Sequence, residues 1–200
     1  MMGLFLITGG SACGKSQYGE SAACKLGEQN KNGRLYYAAA MYPYDDESRD
    51  RIRRHQRMRD GKGFETIECY TDIGRLKDII PAGSTVLIEC MSNLLANELY
   101  LKQGALNDIV TAGDLREENS GMIWERIDKC ITDPVIRLSE HAGSCIVITN
   151  DVFSDGNVYP SETEEYVRLL GYVNQKLSDS AERVVRVVSS IPVVLKAKDA

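Results

Sequence analysis

Short apolar, β-branched runs recur along the chain at residues 4–8, 35–39, 85–89, 145–149, 184–188 and 193–195. Runs of this length without strict alternation predict strands buried on both faces. Between them, apolar positions step by three or four: Tyr18, Ala22 and Leu26; Ile123, Ile127 and Ile131; Tyr166, Leu170, Val173 and Leu177. Each set falls on one face of a helix. Strands alternating with helices predict crossover connections, and so an α/β fold with a mainly parallel sheet and helices on both faces. Pro134 interrupts the helical stretch 121–142 and predicts a kink or two shorter helices, because proline lacks an N–H and crowds the preceding turn. The polar stretch 111–121 reads as a loop. No repeat or Pro/Gly/Ser-rich linker divides the 200 residues, so one domain, 1–200, is expected.

Composition narrows the class of function. A chain that is 43% hydrophobic and 26% charged can bury a core and is not of disordered type. It has no stretch approaching the roughly 18 apolar residues of a membrane helix, so no membrane span is expected and the cytoplasm is the expected location. The six cysteines form no C-x-x-C pair; they read as reduced, small apolar residues and not as zinc ligands. A formal net charge of −5 argues against nucleic acid as a partner. Any phosphate-binding surface must therefore be local.

One such surface is explicit. Gly9-Gly10-Ser11-Ala12-Cys13-Gly14-Lys15-Ser16 matches G-x-x-x-x-G-K-[ST] in full, after a predicted strand and before a predicted helix. Glycines let the backbone N–H groups turn inward around phosphates, and the helix N-terminus adds partial positive charge. Lys15 is placed to reach the β and γ oxygens, and the Ser16 hydroxyl to ligate Mg²⁺. The fold expected is P-loop NTPase-like. Such a site needs an acidic residue at the end of a neighbouring strand; Glu89 closes the run 85–89 and is the candidate, with Asp151 after the run 145–149 as a second. Ser16 and Glu89 are thus the expected metal ligands.

A second feature is a basic segment. Between Arg49 and Lys62 seven basic residues face two acidic ones, inside an acidic chain. If 46–58 is helical, Arg51, His55 and Arg59 share one face. A neutral imidazole there can attack phosphorus while arginines hold the oxygens. The same charges also suit a solvated helix face with an incidental histidine. His141, the other histidine, precedes Gly143 and reads as a last-turn residue that favours the helix dipole.

In order and spacing these segments resemble the bifunctional adenosylcobinamide kinase and adenosylcobinamide-phosphate guanylyltransferase family of cobalamin biosynthesis. The resemblance runs nearly end to end. It includes T-G-G and the P-loop (8–16), Tyr37-Ala38-Ala39-Ala40 before Asp45-Asp46, R-I-x-x-H-x-x-x-R from Arg51 to Arg59, and an aromatic-x-T-x-E over 64–68. It continues with Glu89-Cys90 before Asn93-Leu94-Leu95, Thr149-Asn150-Asp151, Gly171-x-x-Asn174-Gln175 and Ile191-Pro192-Val193. It implies that the P-loop serves a kinase acting on adenosylcobinamide, with ATP or GTP and Mg²⁺. It implies further that His55 is guanylylated by GTP before GMP passes to the corrinoid phosphate. Lys15 and His55 would be catalytic. Residues 9–16 would cradle the triphosphate, Ala39, Ala40, Met41, Gln56, Arg57, Met58 and Arg59 would line the nucleotide site, and Glu68 and Glu89 would meet guanosine nucleotide or its metal. The family's subunits assemble, so a homo-oligomer is expected.

This chain departs from the family pattern at Ser11-Ala12-Cys13, where an arginine is usual, at Asp151, where a glutamate is usual, and over 152–171. Three functions therefore stand beside one another: the two-step corrinoid enzyme, a P-loop small-molecule kinase or diverged relative keeping one activity, and a regulator that uses triphosphate occupancy as a switch.

Overall fold

The computed structural model of the protein describes residues 3–30, 33–115, 119–152 and 159–198. Seven strands form one sheet: β1 (Gly3–Gly9), β2 (Leu35–Ala39), β3 (Phe64–Glu68), β4 (Thr85–Glu89), β5 (Ser144–Ile148), β6 (Arg183–Val188) and β7 (Ile191–Ala197). Their order across the sheet is β3-β2-β4-β5-β1-β6-β7. All neighbours are parallel except β6 and β7, which form an antiparallel hairpin. The six predicted runs are strands, but the last, in β7, is an exposed edge strand and not a buried one, with Val193, Val194 and Leu195 44–59% exposed because only β6 flanks it; the seventh strand, β3, was not predicted. Its sequence Phe-Glu-Thr-Ile-Glu lies half exposed at the sheet's edge, so it never needed the apolar run that marks a central strand.

β4 and β5 lie mid-sheet and are buried at every position. Successive residues of β1 face opposite ways, which splits the core in two. Leu4 and Leu6 join the larger cluster with Val86, Ile88, Val147 and Val184. Phe5 and Ile7 join the smaller one with Leu87, Ile146 and Ile148. Helix α1 (Lys15–Gln29) covers the smaller cluster through Ala23 and Leu26. The larger is covered by α4 (Met91–Tyr100), α6 (Ser120–Ile127), α7 (Asp133–Ala142) and α8 (Ser161–Ser180), with Leu94, Ile123, Leu138 and Leu170 fully buried. Two further short helices complete this layer, α3 (Leu76–Ile79) and α5 (Asn107–Ala112). α4 was also not predicted, because it starts only one residue after β4 and its apolar positions run on from the strand's.

The stretch around Pro134 resolves as expected into two helices. α6 passes through a π-helical turn, Asp128–Thr132, into α7, whose first turn holds Pro134 where its missing N–H costs nothing. The stretch 111–121, expected as a loop, is helical at both ends, where α5 and α6 each take in two residues; 116–118 lie outside the described residues. Most of the divergent segment, 153–158, also lies outside them. His141 sits in the last turn of α7, as expected, and its Nε2 lies 2.9 Å from the Ile80 carbonyl. Among the described residues no helix is long and apolar enough to cross a membrane.

The topology fixes where a ligand can bind. The chain leaves β1 through α1 toward β2, and leaves β5 through α8 in the opposite direction, to β6. Crevices at the carboxyl ends of strands beside such a reversal are the usual ligand sites of open α/β sheets.

Candidate active site

Residues 9–16 link β1 to α1 at that carboxyl edge. Gly14, at φ +91, adopts a conformation that favours glycine, and a Cβ there would stand 2.7 Å from Ser190 Oγ. Ser190 itself belongs to the tight β6–β7 turn, in which Ser189 and Ser190 both have positive φ, and its N–H donates to the Cys13 carbonyl at 2.8 Å. The hairpin thus braces the loop from outside. Lys15 is buried, and its Nζ donates to the Gly10 carbonyl at 2.9 Å.

Sheet register brings three strand ends into one row: Glu68 on β3 is level with Ala39 on β2, and Ala39 with Glu89 on β4. Helix α2 (Asp46–Arg59) crosses above this row. It starts at a capping box in which the Asp45 carboxylate accepts from the Ser48 N–H at 2.7 Å and Ser48 Oγ accepts from the Asp45 N–H at 2.9 Å. Arg49, Arg51 and Arg53 pair with Asp46, Glu47 and Asp50 on its solvent side. His55 and Arg59 turn inward, whereas Arg51, expected on their face, is held outside the cleft by its pair with Glu47. The basic helix therefore serves both readings given above: most of its charge is a solvated face, and one turn enters a cleft.

Glu89 is the centre of that cleft. It is 8% exposed. Ser16 donates its hydroxyl to Oε1, Tyr37 donates to Oε2 at 2.7 Å, and His55 Nδ1 stands 3.6 Å from Oε1. Burial raises the pKa of Glu89, but His55, Ser16 and Tyr37 together hold it below the ordinary carboxylate range. His55 Nδ1 is buried and makes no hydrogen bond among the described residues. The Arg59 guanidinium lies 3.5 Å above the Tyr37 ring; it is 7% exposed, and its Nε and Nη1 find no partner among the described residues. Buried, unpaired donors of this kind suit an anion. At the outer end of the cleft, burial and a hydrogen bond with Glu68 push the Tyr70 hydroxyl up to about 12.

A family model described as cobinamide kinase / cobinamide phosphate guanyltransferase, CobU, matches residues 5–195. The chain belongs to the CobU family. It is 28% identical over 202 residues to the bifunctional adenosylcobalamin biosynthesis protein CobU of Salmonella typhimurium, across 96% of this chain and 99% of that protein. The protein of the same name from Escherichia coli is 28% identical over 196 residues, with the same shares covered. Among solved structures an ATPase domain superposes with a TM-score of 0.53 at 8% identity, covering 98% of this chain and 78% of that one. At that identity the likeness concerns the P-loop NTPase fold alone.

Of the residues singled out in this CobU family member, His55, Ala39, Met41, Gln56, Arg59, Glu68 and Glu89 line one cleft. It opens at Glu89 toward Ser16 of the P-loop. Three others stand apart. Ala40 is buried behind the cleft, its N–H on the Glu89 carbonyl and its carbonyl on Asn97 Nδ2. Arg57 and Met58 border a shallow outer surface with Asp50 and Arg54. The helical period explains these two, since Arg57 and Met58 lie two and one residues before Arg59 and fall off the stripe that Ile52, His55, Gln56 and Arg59 form. Asp151 pairs with Arg186 at 2.7 Å, and its N–H donates to the Gly9 carbonyl, so it braces the P-loop from the β6 side. Sequence reasoning missed Tyr37, Ile52, Thr66 and Tyr70, which also line the cleft. Tyr37 and Thr66 sit on strands where alternation aims them with Ala39 and Glu68, a signal available once β3 is recognised as a strand.

Proposed function

We propose that the protein phosphorylates the aminopropanol hydroxyl of adenosylcobinamide with ATP or GTP, then transfers GMP from GTP to that phosphate through a guanylylated His55, giving adenosylcobinamide-GDP. The observation that carries this reading is the meeting of Ser16 and His55 at one oxygen of Glu89. A kinase group and a candidate nucleophile thereby share a single phosphate apparatus.

In the first reaction the acceptor oxygen attacks the γ-phosphorus, the bond to the β-phosphate oxygen breaks, the nucleoside diphosphate leaves, and the hydroxyl proton passes to solvent water. Lys15 and the P-loop N–H groups balance the charge. In the second, Nε2 of His55, the ring nitrogen turned away from Glu89, attacks the α-phosphorus of GTP; an N–P bond forms and pyrophosphate leaves. An oxygen of adenosylcobinamide phosphate then attacks the same phosphorus, the N–P bond breaks and a diphosphate bridge forms. Arg59 supplies donors to the phosphates, and Glu68 with Met41 and Gln56 faces the nucleoside.

The residues suit Mg²⁺. The Ser16 hydroxyl and the buried Glu89 carboxylate are hard oxygen donors side by side. Among the described residues no group of three or more acidic, Cys or His side chains could hold a metal alone. Nucleotide phosphates and water would fill the remaining positions of an octahedral ion. Bound there, Mg²⁺ would neutralise charge on the transferring phosphates. The reading includes one domain, a cytoplasmic location and assembly into a homo-oligomer.

The test is incubation with Mg²⁺ and α-phosphate-labelled GTP without corrinoid. Label that survives denaturation, is released by acid and is absent from His55→Ala supports the assignment. GTP binding without label in the folded wild type would leave a P-loop kinase or a relative with one activity.

A further inference from the structure

Glu89 cannot orient anything unless something orients Glu89. Two hydroxyls hold it: Ser16 at Oε1 and Tyr37 at Oε2. Under the function proposed above, on which this inference rests, the Ser16 hydroxyl turns to a metal-bound triphosphate whenever substrate is present. That anchor is therefore conditional. Tyr37 is built differently. It is 3% exposed, sits in the middle of β2, and has an edge-on contact with Phe64 at 6.2 Å between ring centres. Its one hydroxyl has a single strong acceptor, and its ring face carries Arg59 at 3.5 Å.

We infer that Tyr37 is the positioning residue of the guanylylation step, holding Glu89 with Oε1 toward His55 Nδ1 after Ser16 has been drawn to the nucleotide. Closing the 3.6 Å gap to Nδ1 by a few tenths of an ångström would make a hydrogen bond that fixes the ring plane and favours the tautomer leaving Nε2 with its lone pair free for phosphorus. The ring has a second, separable task. Its face seats the guanidinium of Arg59, so one side chain orients both the nucleophile's partner and a phosphate-binding cation.

The two tasks separate by substitution. Tyr37→Phe keeps the ring and removes the hydroxyl. It is expected to slow adduct formation in single-turnover assays by about 10- to 100-fold, the usual cost of losing such a supporting partner. GTP affinity, measured by equilibrium titration, stays within about twofold, below the tenfold that 1.4 kcal/mol would give. Tyr37→Leu loses the seat for Arg59 as well and is expected to weaken GTP binding too. A third readout needs no turnover. With a GTP analogue bound whose α–β bridge cannot be cleaved, so that Ser16 is drawn from Glu89, ¹⁵N shifts of the His55 ring report the Nδ1–H tautomer as dominant in wild type and mixed with the other in Tyr37→Phe. A Tyr37→Phe protein with wild-type adduct rate and ring shifts would overturn the inference, as would one whose only defect is weaker GTP binding. If the wild type forms no adduct at all, the proposed function fails, and the ring shifts still decide whether Tyr37 governs His55.

Discussion

His55 Nδ1 lies 3.6 Å from Glu89 Oε1, the oxygen that also accepts the Ser16 hydroxyl. Under the function proposed above, the helix histidine and the P-loop need no large movement to act on one nucleotide. Glu89→Gln keeps the shape of the side chain but puts a neutral amide where two hydroxyls donate and a histidine faces a charge. Both the kinase and the guanylylation rates are expected to fall by about 10- to 100-fold. Phosphoryl transfer and labelled-adduct formation measured on one preparation check this; loss of only one activity would mean that Glu89 serves only one half-reaction.

The cysteines divide by burial. Cys69, Cys90 and Cys145 are buried, Cys130 is half-buried, and burial pushes the thiols of Cys69 up to about 11 and of Cys130 and Cys145 up to about 12. Cys13 and Cys24 are half-buried like Cys130; burial raises the Cys24 thiol, with Lys62 opposing it, and Cys13 lies inside the P-loop. N-ethylmaleimide at neutral pH is expected to modify Cys13 and Cys24 and to leave the other four unmodified in the native protein. Saturating Mg-ATP should protect Cys13 and not Cys24. Peptide mass spectrometry reads both effects.

Asp128 ties the π-helical turn to α8. Thr132 donates to Oδ1 at 2.7 Å, Tyr172 to Oδ2 at 2.8 Å, and Lys176 pairs with Oδ2 at 3.2 Å. Partial burial raises its pKa, but these three partners outweigh burial and bring it below the ordinary aspartate value of 3.8. A depressed pKa in the folded state stabilises the fold above the ordinary value, and the contribution is lost as pH falls through the lower folded value. Asp128→Asn should lower stability by about 1 to 2 kcal/mol at neutral pH. The difference from wild type should shrink toward zero as pH falls through the lowered value of the folded state. Thermal melts of both proteins across pH test this, and a constant difference would contradict it.

Two glycines predict opposite tolerance. A Cβ on Gly104 would lie 2.3 Å from the Glu98 carbonyl oxygen and 2.6 Å from that of Asn97, backbone atoms that cannot step aside. One on Gly19 would meet the end of the Ile148 side chain at 2.8 Å, which can rotate. Gly104→Ala should cost about 2 to 3 kcal/mol, and Gly19→Ala about 1 kcal/mol or less. With roughly 2–4 °C in Tm for each kcal/mol in a chain of this size, calorimetry separates them.

Much of this was legible in the sequence. The apolar runs gave six of seven strands: β4, β5 and their neighbours because a strand buried on both faces must be apolar throughout, and β7 because its run is apolar although the strand lies exposed at the edge. The P-loop, the α2 helix and the strand-end position of Glu89 followed from local rules of turn, cap and run. β3 was not legible, since an edge strand carries little compositional demand. Nor was the split of the basic helix into a solvated side and one buried turn, for which the period gave candidate faces but not the one that meets the sheet.

The sequence by itself determined the class of chemistry: a loop that binds phosphates, a histidine among arginines, an acid at the end of a strand, and the order of segments that marks the family. The tertiary structure decided which of those groups meet. Strand order sets β2 between β3 and β4, and parallel register puts Glu68, Ala39 and Glu89 level at the carboxyl edge. That row brings His55 from above and Ser16 from the side to the same oxygen, and brings Tyr37 beneath them. The physical reason is that local pattern specifies elements, whereas the pairing of distant strands is fixed only when the whole sheet buries both of its faces at once.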